Sequence, residues 1–513
     1  MAIGRLMGIR WGWCVALLGC LSIALAAGWL SYLPVENRQP AATLAPPLPI
    51  QRRDCDFVSS YALQVECYWM MVGEEGAKAR LSIAIFRGPA DGAVDPLVYI
   101  AGGPGEGGNT QGTGLAIWDE WLSRTPIRRD FVLLDPRGLS PSQPAWDCED
   151  YSRISRALLD RPLSFAEEGA LIAPVLEQCL SQWQSELRER GGPVASLDAF
   201  SSLLNERDLG GALRQLGYRE WNYLAVSYGT RVALLAAMRQ PEVRRVILDS
   251  PYPPERGSIG DALVLWVNAF ASFWRRCEQS PCPFDEPRFW RLMEDLREHP
   301  IWVEVDNWRS GKSERWLLND GRLAAALYTG FYSSELTGRV AEALDRHSRG
   351  DSRELTGILE VFFNQAFDSR FNSAIYWATE CNDNRLDDEA SFVRLLTEAG
   401  RWRTYFASDW QHNICRSAVF HNGQLPPMEE VSVPALVAVG ALDPITTEVH
   451  ARALMSSLPN GYLLVQERHS HAEFFMGECG QHLIPWFLLA SSEQLTGEWG
   501  EKSRFCQQAN LSR

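Results

Sequence analysis

Six short apolar runs in this chain each end at a turn equipped for chemistry, and that repetition restricts the fold more than any other feature. Leu97–Ala101 runs into Gly102-Gly103-Pro104-Gly105, Phe131–Leu134 into Asp135-Pro136-Arg137-Gly138, and Tyr223–Val226 into Ser227. Val246–Leu248 ends at Asp249-Ser250, Ala435–Val439 precedes Asp443, and Tyr462–Val465 precedes His469 and His471. A short apolar run bounded by turn residues reads as a strand buried on both faces. With Leu81–Phe86 as a further strand and helical stretches between, the pattern is that of an α/β chain with a mostly parallel sheet flanked by helices. Ligands bind such sheets at the carboxyl ends of the strands, so the special turns are expected to gather along one edge.

Between about Pro254 and Glu430 the strand signal fades and helical patterns such as Arg322–Tyr328 and Thr337–His347 take over. This predicts a mainly helical lid over residues 254–430, inserted between two parts of a core, 55–253 and 431–513. Ahead of the core, Arg5 and Arg10 precede an uncharged stretch from Trp11 to Leu33. Residues 1–33 therefore read as a signal peptide or an uncleaved membrane anchor. The proline-rich stretch 34–54 reads as an extended tether. Destination is then the cell envelope, periplasmic or otherwise extracytoplasmic, with membrane contact through residues 11–33 if they stay attached.

Two further features bear on compartment and partners. The 513 residues carry 49 Lys+Arg against 64 Asp+Glu, a net charge of −15 with no basic run, which argues against a nucleic-acid partner. Cys14 and Cys20 lie in the apolar segment; the other ten cysteines come after residue 50, an even number suited to an oxidising compartment. Neighbours along the chain suggest Cys55–Cys67, Cys148–Cys179, Cys277–Cys282, Cys381–Cys415 and Cys479–Cys506.

Ser227 has the setting of a nucleophile elbow, an apolar strand turning sharply into a helix, with small Ala225 and Gly229 two residues to either side. The glycine loop after Leu97–Ala101 can bring backbone N–H groups to a developing oxyanion, so Gly103 is assigned as one donor and Tyr228, the residue after the serine, as the other. Asp443 and His471 complete the order Ser, Asp, His: the imidazole takes the serine proton, and the carboxylate orients it. His469, two residues earlier, is the alternative base. Asp135 and Arg137 are read as a bracing ion pair. No metal and no organic cofactor is required. The expected partner is a small peptide or ester, and the chain is expected to act as a monomer.

Taken together, Gly102-Gly103-Pro104-Gly105, Asp135-Pro136-Arg137-Gly138, Ser227-Tyr228-Gly229-Thr230, Leu248-Asp249-Ser250, Cys381-Asn382-Asp383, Asp443 and His471 resemble the α/β-hydrolases of the prolyl aminopeptidase and tripeptidyl aminopeptidase type. The resemblance runs from Cys55 to about Cys506 and favours His471 over His469 through the family's Gly-x-Gly-His pattern. Departures are Ala225 for the usual glycine, Ser140 in the Asp-Pro-Arg-Gly turn, and Arg468 and Ser470 before the histidine. The resemblance implies a serine aminopeptidase in which acidic groups hold the substrate's ammonium; Glu380, Asp383 and Glu106 are the candidates. An esterase or lipase-like hydrolase with the same triad is the alternative, and a non-catalytic envelope binding module a second.

Overall fold

The computed structural model describes residues 50–509, except 62, 74–77, 190–195, 255–257, 259, 407–413 and 417–424. The signal or anchor segment 1–33 and the tether as far as residue 49 lie outside the described residues. Eleven strands are present among them: β1 Ile50–Arg53, β2 Val65–Val72, β3 Ala79–Phe86, β4 Ala93–Ile100, β5 Arg129–Asp135, β6 Trp221–Val226, β7 Val243–Asp249, β8 Ile301–Asn307, β9 Lys312–Leu318, β10 Ala435–Gly440 and β11 Gly461–Gln466. Nine form one sheet in the order β1-β2-β3-β5-β4-β6-β7-β10-β11. The first four in that order pair antiparallel, and every pair from β5/β4 to β10/β11 is parallel.

All seven strands read from the sequence are in this sheet, and the interior strands β6 and β10 are buried at every position. That is why they stand out as unbroken apolar runs: a parallel strand is covered by helices on both faces. One face packs Tyr223, Ala225, Leu248 and Val437 against helices, the other Leu224, Val226, Ile247 and Leu436. Parallel register sets the carboxyl ends side by side. Val226 of β6 pairs with Asp249 of β7, and Asp249 with Ala438 of β10.

Two expectations are corrected at the edges. Ile50–Arg53, placed in the tether, forms β1 against Met70–Cys67 of β2. Its mixed, mostly exposed side chains carry no core-facing signal. The insertion between β7 and β10 is helical as expected, with helices over Asp320–Gly330 and Ser334–Ser348, but it also holds the hairpin β8/β9. Ile301, Val303 and Val305 alternate with exposed or charged neighbours, the pattern of a half-buried ribbon and not of a buried strand. The lid has its own core of Phe270, Phe273, Trp274, Phe289, Trp316, Phe331 and Trp402. Five disulfides join the ten body cysteines in the neighbouring pairs read from the sequence. Among the described residues no helix is long and apolar enough to cross a membrane.

Candidate active site

Ser227 sits between β6 and the helix Tyr228–Arg239 with φ 52° and ψ −121°, a region that non-glycine residues rarely occupy. Such a turn costs free energy and persists because its surroundings hold it. The Ser227 N–H donates to Asp249 O at 2.8 Å, tying the elbow to the neighbouring strand end. A Cβ on Gly229 would lie 2.4 Å from Ile100 O and 2.5 Å from Ala101 O, so only glycine lets the elbow helix come this close to β4. Ala225, by contrast, is accommodated: its methyl is fully buried in β6 between Ile100 and Leu248.

The glycine loop leaves β4 directly against this serine. A Cβ on Gly102 would sit 3.4 Å from the Ser227 Cβ. Gly103 takes φ +101°, which L side chains rarely adopt. Tyr228 opens the elbow helix, so its N–H belongs to the first turn, where helix donors lack intrahelical acceptors. The start of the glycine loop and the start of the elbow helix therefore meet at Ser227.

Across the next strands, His471 Nδ1 lies 2.9 Å from Asp443 Oδ2. Asp443 is fixed by donors of its own: Ile445 N at 2.9 Å and Thr446 N at 2.8 Å on Oδ1, and the Thr446 hydroxyl at 2.7 Å on Oδ2. Burial pushes its carboxyl up, but His471 and these donors outweigh it and hold the pKa below the ordinary aspartate value. Burial lowers the imidazole pKa in turn, while Asp443 foremost, with Asp249 and Glu106, raises it above the ordinary 6.5. Of the two candidate histidines, His471 holds the aspartate contact. His469 instead gives its carbonyl to Leu442 N at 3.0 Å and so shapes the loop.

A second carboxylate, noted in the Leu248-Asp249-Ser250 motif of the sequence but given no role there, stands behind this pair. Asp249 is buried, its pKa is raised to about 7 by burial, and its Oδ2 accepts from Phe475 N at 3.0 Å. Next to it the Ser250 hydroxyl accepts from Ala472 N at 2.8 Å. The end of β7 thus grips the chain just after His471.

The three acids proposed for the ammonium are placed differently. Asp383 has no exposed side-chain surface. Its carboxylate takes the Ser202 hydroxyl at 2.5 Å and N–H at 3.1 Å, and faces Arg231 at 3.8 Å. It is a brace rather than an ammonium anchor, because burial and partners leave no face for substrate. The Ser202 hydroxyl also lies 3.0 Å from Tyr228 Oη, so this brace reaches the residue next to Ser227. Glu380 is partly accessible and bonded to Asn384 Nδ2 at 2.6 Å, with burial raising its pKa to about 7. The Tyr252 hydroxyl lies 3.4 Å from its Oε2, and the Tyr376 phenol is pushed up by burial and then by Glu380, Tyr252 and Tyr332. Tyr332 meets the His471 ring edge to face at 5.0 Å. Glu106 reaches solvent at its surface, yet burial of its carboxyl and then Asp368 raise its pKa above the ordinary glutamate value. Its Oε2 and the Ser227 Cβ both fall within 4 Å of where a Gly102 Cβ would be, at 3.8 and 3.4 Å.

Asp135 and Arg137 do not pair with each other. Arg137 forks onto Asp208 at 2.7 and 2.8 Å, while Asp135 receives Asn109 N at 2.9 Å and Thr110 N at 3.2 Å, closing the far end of the glycine loop. The turn at Pro136-Arg137-Gly138 sends the two side chains to different neighbours. A Cβ on Gly138 would meet Ile375 Cδ1 of the lid at 2.2 Å, so the lid packs onto this turn.

A serine at an elbow after β6, an aspartate after β10 and a histidine after β11 on one mostly parallel sheet agree with the family comparison, in which the α/β hydrolase fold model matches residues 95–281. The chain carries the α/β-hydrolase fold. The chain is similar to the serine protease Hip1 of Mycobacterium tuberculosis, 27% identical over 449 residues that cover 81% of this chain and 83% of the relative. It is also similar to a tripeptidyl aminopeptidase of Streptomyces lividans, 24% identical over 382 residues covering 70% and 65% of the two chains.

Arg231 is the charge on which the brace behind the elbow depends. It is fully buried, 3.0 Å from Asn384 Oδ1, and its guanidinium lies 3.8 Å from the Tyr252 ring centre. Arg231→Met would leave Asp383 and Glu380 without their buried cation. The expected outcome is a loss of about 3–5 kcal/mol of stability, because an uncompensated buried charge costs far more than the pair contributes. Denaturant unfolding measures it, and an unchanged midpoint would refute the dependence.

Proposed function

We propose that this protein is an exported serine exopeptidase, an aminopeptidase that releases residues or short peptides from the free N-terminus of a peptide. The observation that carries the reading is the Asp443–His471 contact on the same strand-end edge as a serine held in a strained elbow. Ser227 Oγ attacks the scissile carbonyl carbon as His471 takes its proton, and Asp443 holds the imidazole in the tautomer that can accept it. The Gly103 and Tyr228 amides stabilise the oxyanion. His471 then protonates the leaving amine, and water, activated by the same base, releases the acyl group from Ser227.

Amides are favoured over esters because one relative is named a serine protease and the other a tripeptidyl aminopeptidase. In this reading Glu106, beside the serine, and Glu380, beside Tyr252, are the acids that hold the ammonium, whose positive charge would draw each carboxyl, raised by burial, into its charged form. A fixed carboxylate orients the substrate and sets how many residues fit before the bond that is cut. Residues 1–33 direct the body to the envelope, in keeping with five disulfides, which persist in oxidising compartments.

A panel of aminoacyl and tripeptidyl anilides, each with a free or an acetylated amine, and of acyl esters tests this. Free-amine anilides are expected to exceed their blocked counterparts at least about tenfold in kcat/KM, the size of one charge-assisted contact. Equal cleavage of blocked anilides would defeat the aminopeptidase reading, and turnover of esters alone would replace it with an esterase.

A further inference from the structure

The loop that carries His471 is fastened to the lid as well as to the sheet. Glu473 joins the two: its Oε2 accepts from Ser470 N at 2.8 Å, and its Oε1 accepts from Ser334 N at 2.8 Å and the Ser334 hydroxyl at 3.0 Å. Ser334 is the first residue of the lid helix Ser334–Ser348, so a carboxylate there also meets the positive end of the helix dipole. Two more links lie within three residues. The Ser470 hydroxyl donates to Phe331 O, and His471 N donates to Tyr332 O at 3.2 Å. With the Tyr332 ring against the imidazole, residues 331–334 of the lid contact Ser470, His471 and Glu473 of the loop that presents the base.

We propose that Glu473 is a positioning residue for His471, bracketing the histidine loop to the lid so that the lid forms part of the mount of the base. This rests on the reading of His471 as general base. A carboxylate suits the task because its two oxygens serve two elements at once. A glutamine keeps one acceptor but turns an NH2 toward the other set of donors. The same bracket accounts for Ser470, where the resembling family has glycine: its hydroxyl supplies a lid contact that glycine lacks. Misplacing a reacting group by about 1 Å can cost about 10²-fold in rate, so a loosened loop shows in kcat before it shows in binding.

The test is steady-state kinetics on Glu473→Ala, Glu473→Gln and Ser470→Gly in the full chain, with thermal unfolding of each and His471→Ala in parallel. Glu473→Ala is expected to lower kcat about 10- to 100-fold with KM within about twofold, Glu473→Gln to fall between it and wild type, and Ser470→Gly to lose less. An unchanged kcat in Glu473→Ala, or a loss matched by the unfolded fraction at assay temperature, overturns the proposal. Full activity in His471→Ala would instead remove the base assignment on which it rests.

Discussion

Ser227→Ala is expected to abolish turnover, lowering kcat by about 10⁵- to 10⁶-fold while substrate binding and unfolding temperature stay near wild type. The nucleophile, the base and its orienting carboxylate act as a unit, so loss of the serine removes nearly all that the unit contributes; a residual rate of about 10³–10⁴ over water would come from the oxyanion donors and substrate binding alone. The stability expectation comes from the elbow. Its geometry is held by the Ser227 N–H bond to Asp249 O and by Gly229 against Ile100 and Ala101, all backbone contacts that survive removal of the hydroxyl. Alanine at φ 52° pays a cost close to that of serine, since neither has glycine's freedom. Labelling by a fluorophosphonate should disappear in the same variant. Turnover at wild-type rates would show that Ser227 is not the nucleophile.

The sheet and the places of Ser227, Asp443 and His471 were legible because each follows shortly after an apolar run that forms a strand of the sheet, buried throughout for Ser227 and Asp443 and at the sheet edge for His471. Such strands announce themselves as apolar runs, and the residues just beyond them lie at the carboxyl edge of the sheet. Legibility ends where partners are remote in sequence. Arg137 was read against Asp135, two residues away, although its partner Asp208 is 71 residues distant. Asp383 entered as an acid for substrate through the family resemblance alone, and nothing near it in sequence shows that it is occupied; Arg231 and Ser202 engage it from the elbow helix and the helix before β6. A clue was present. Arg231 is a charge set among Val232, Ala233, Leu234 and Leu235, where a solvent-facing position is not expected, and a buried arginine requires acids. The lid contacts of the histidine loop left no comparable mark, since Glu473 and Ser334 are 139 residues apart and each reads as an ordinary solvated side chain in isolation.

Asp443→Asn should cost about 10³- to 10⁴-fold in kcat and move the acid limb of the pH profile downward. The rate term arises because an amide can turn its NH2 toward Nδ1 and favour the tautomer whose Nε2 already carries a proton and cannot accept one from serine. The pH term arises from charge. In the intact protein Asp443 is the leading cause that raises the His471 pKa above 6.5, with Asp249 and Glu106 adding to it and burial opposing. The base works only when neutral, so wild-type kcat/KM should rise as pH passes through a midpoint above 6.5. Removing the negative charge of Asp443 lets burial dominate, the imidazole loses its proton at lower pH, and the midpoint falls. Asp249 makes the outcome more informative. It is also buried near His471, and burial holds its pKa at about 7, so near neutrality it is only partly charged and is a poor substitute for a carboxylate held below the ordinary range. A kcat reduced less than tenfold, with the midpoint unmoved, would shift the orienting role from Asp443 to Asp249; adding Asp249→Asn to the first variant would then remove the remaining rate.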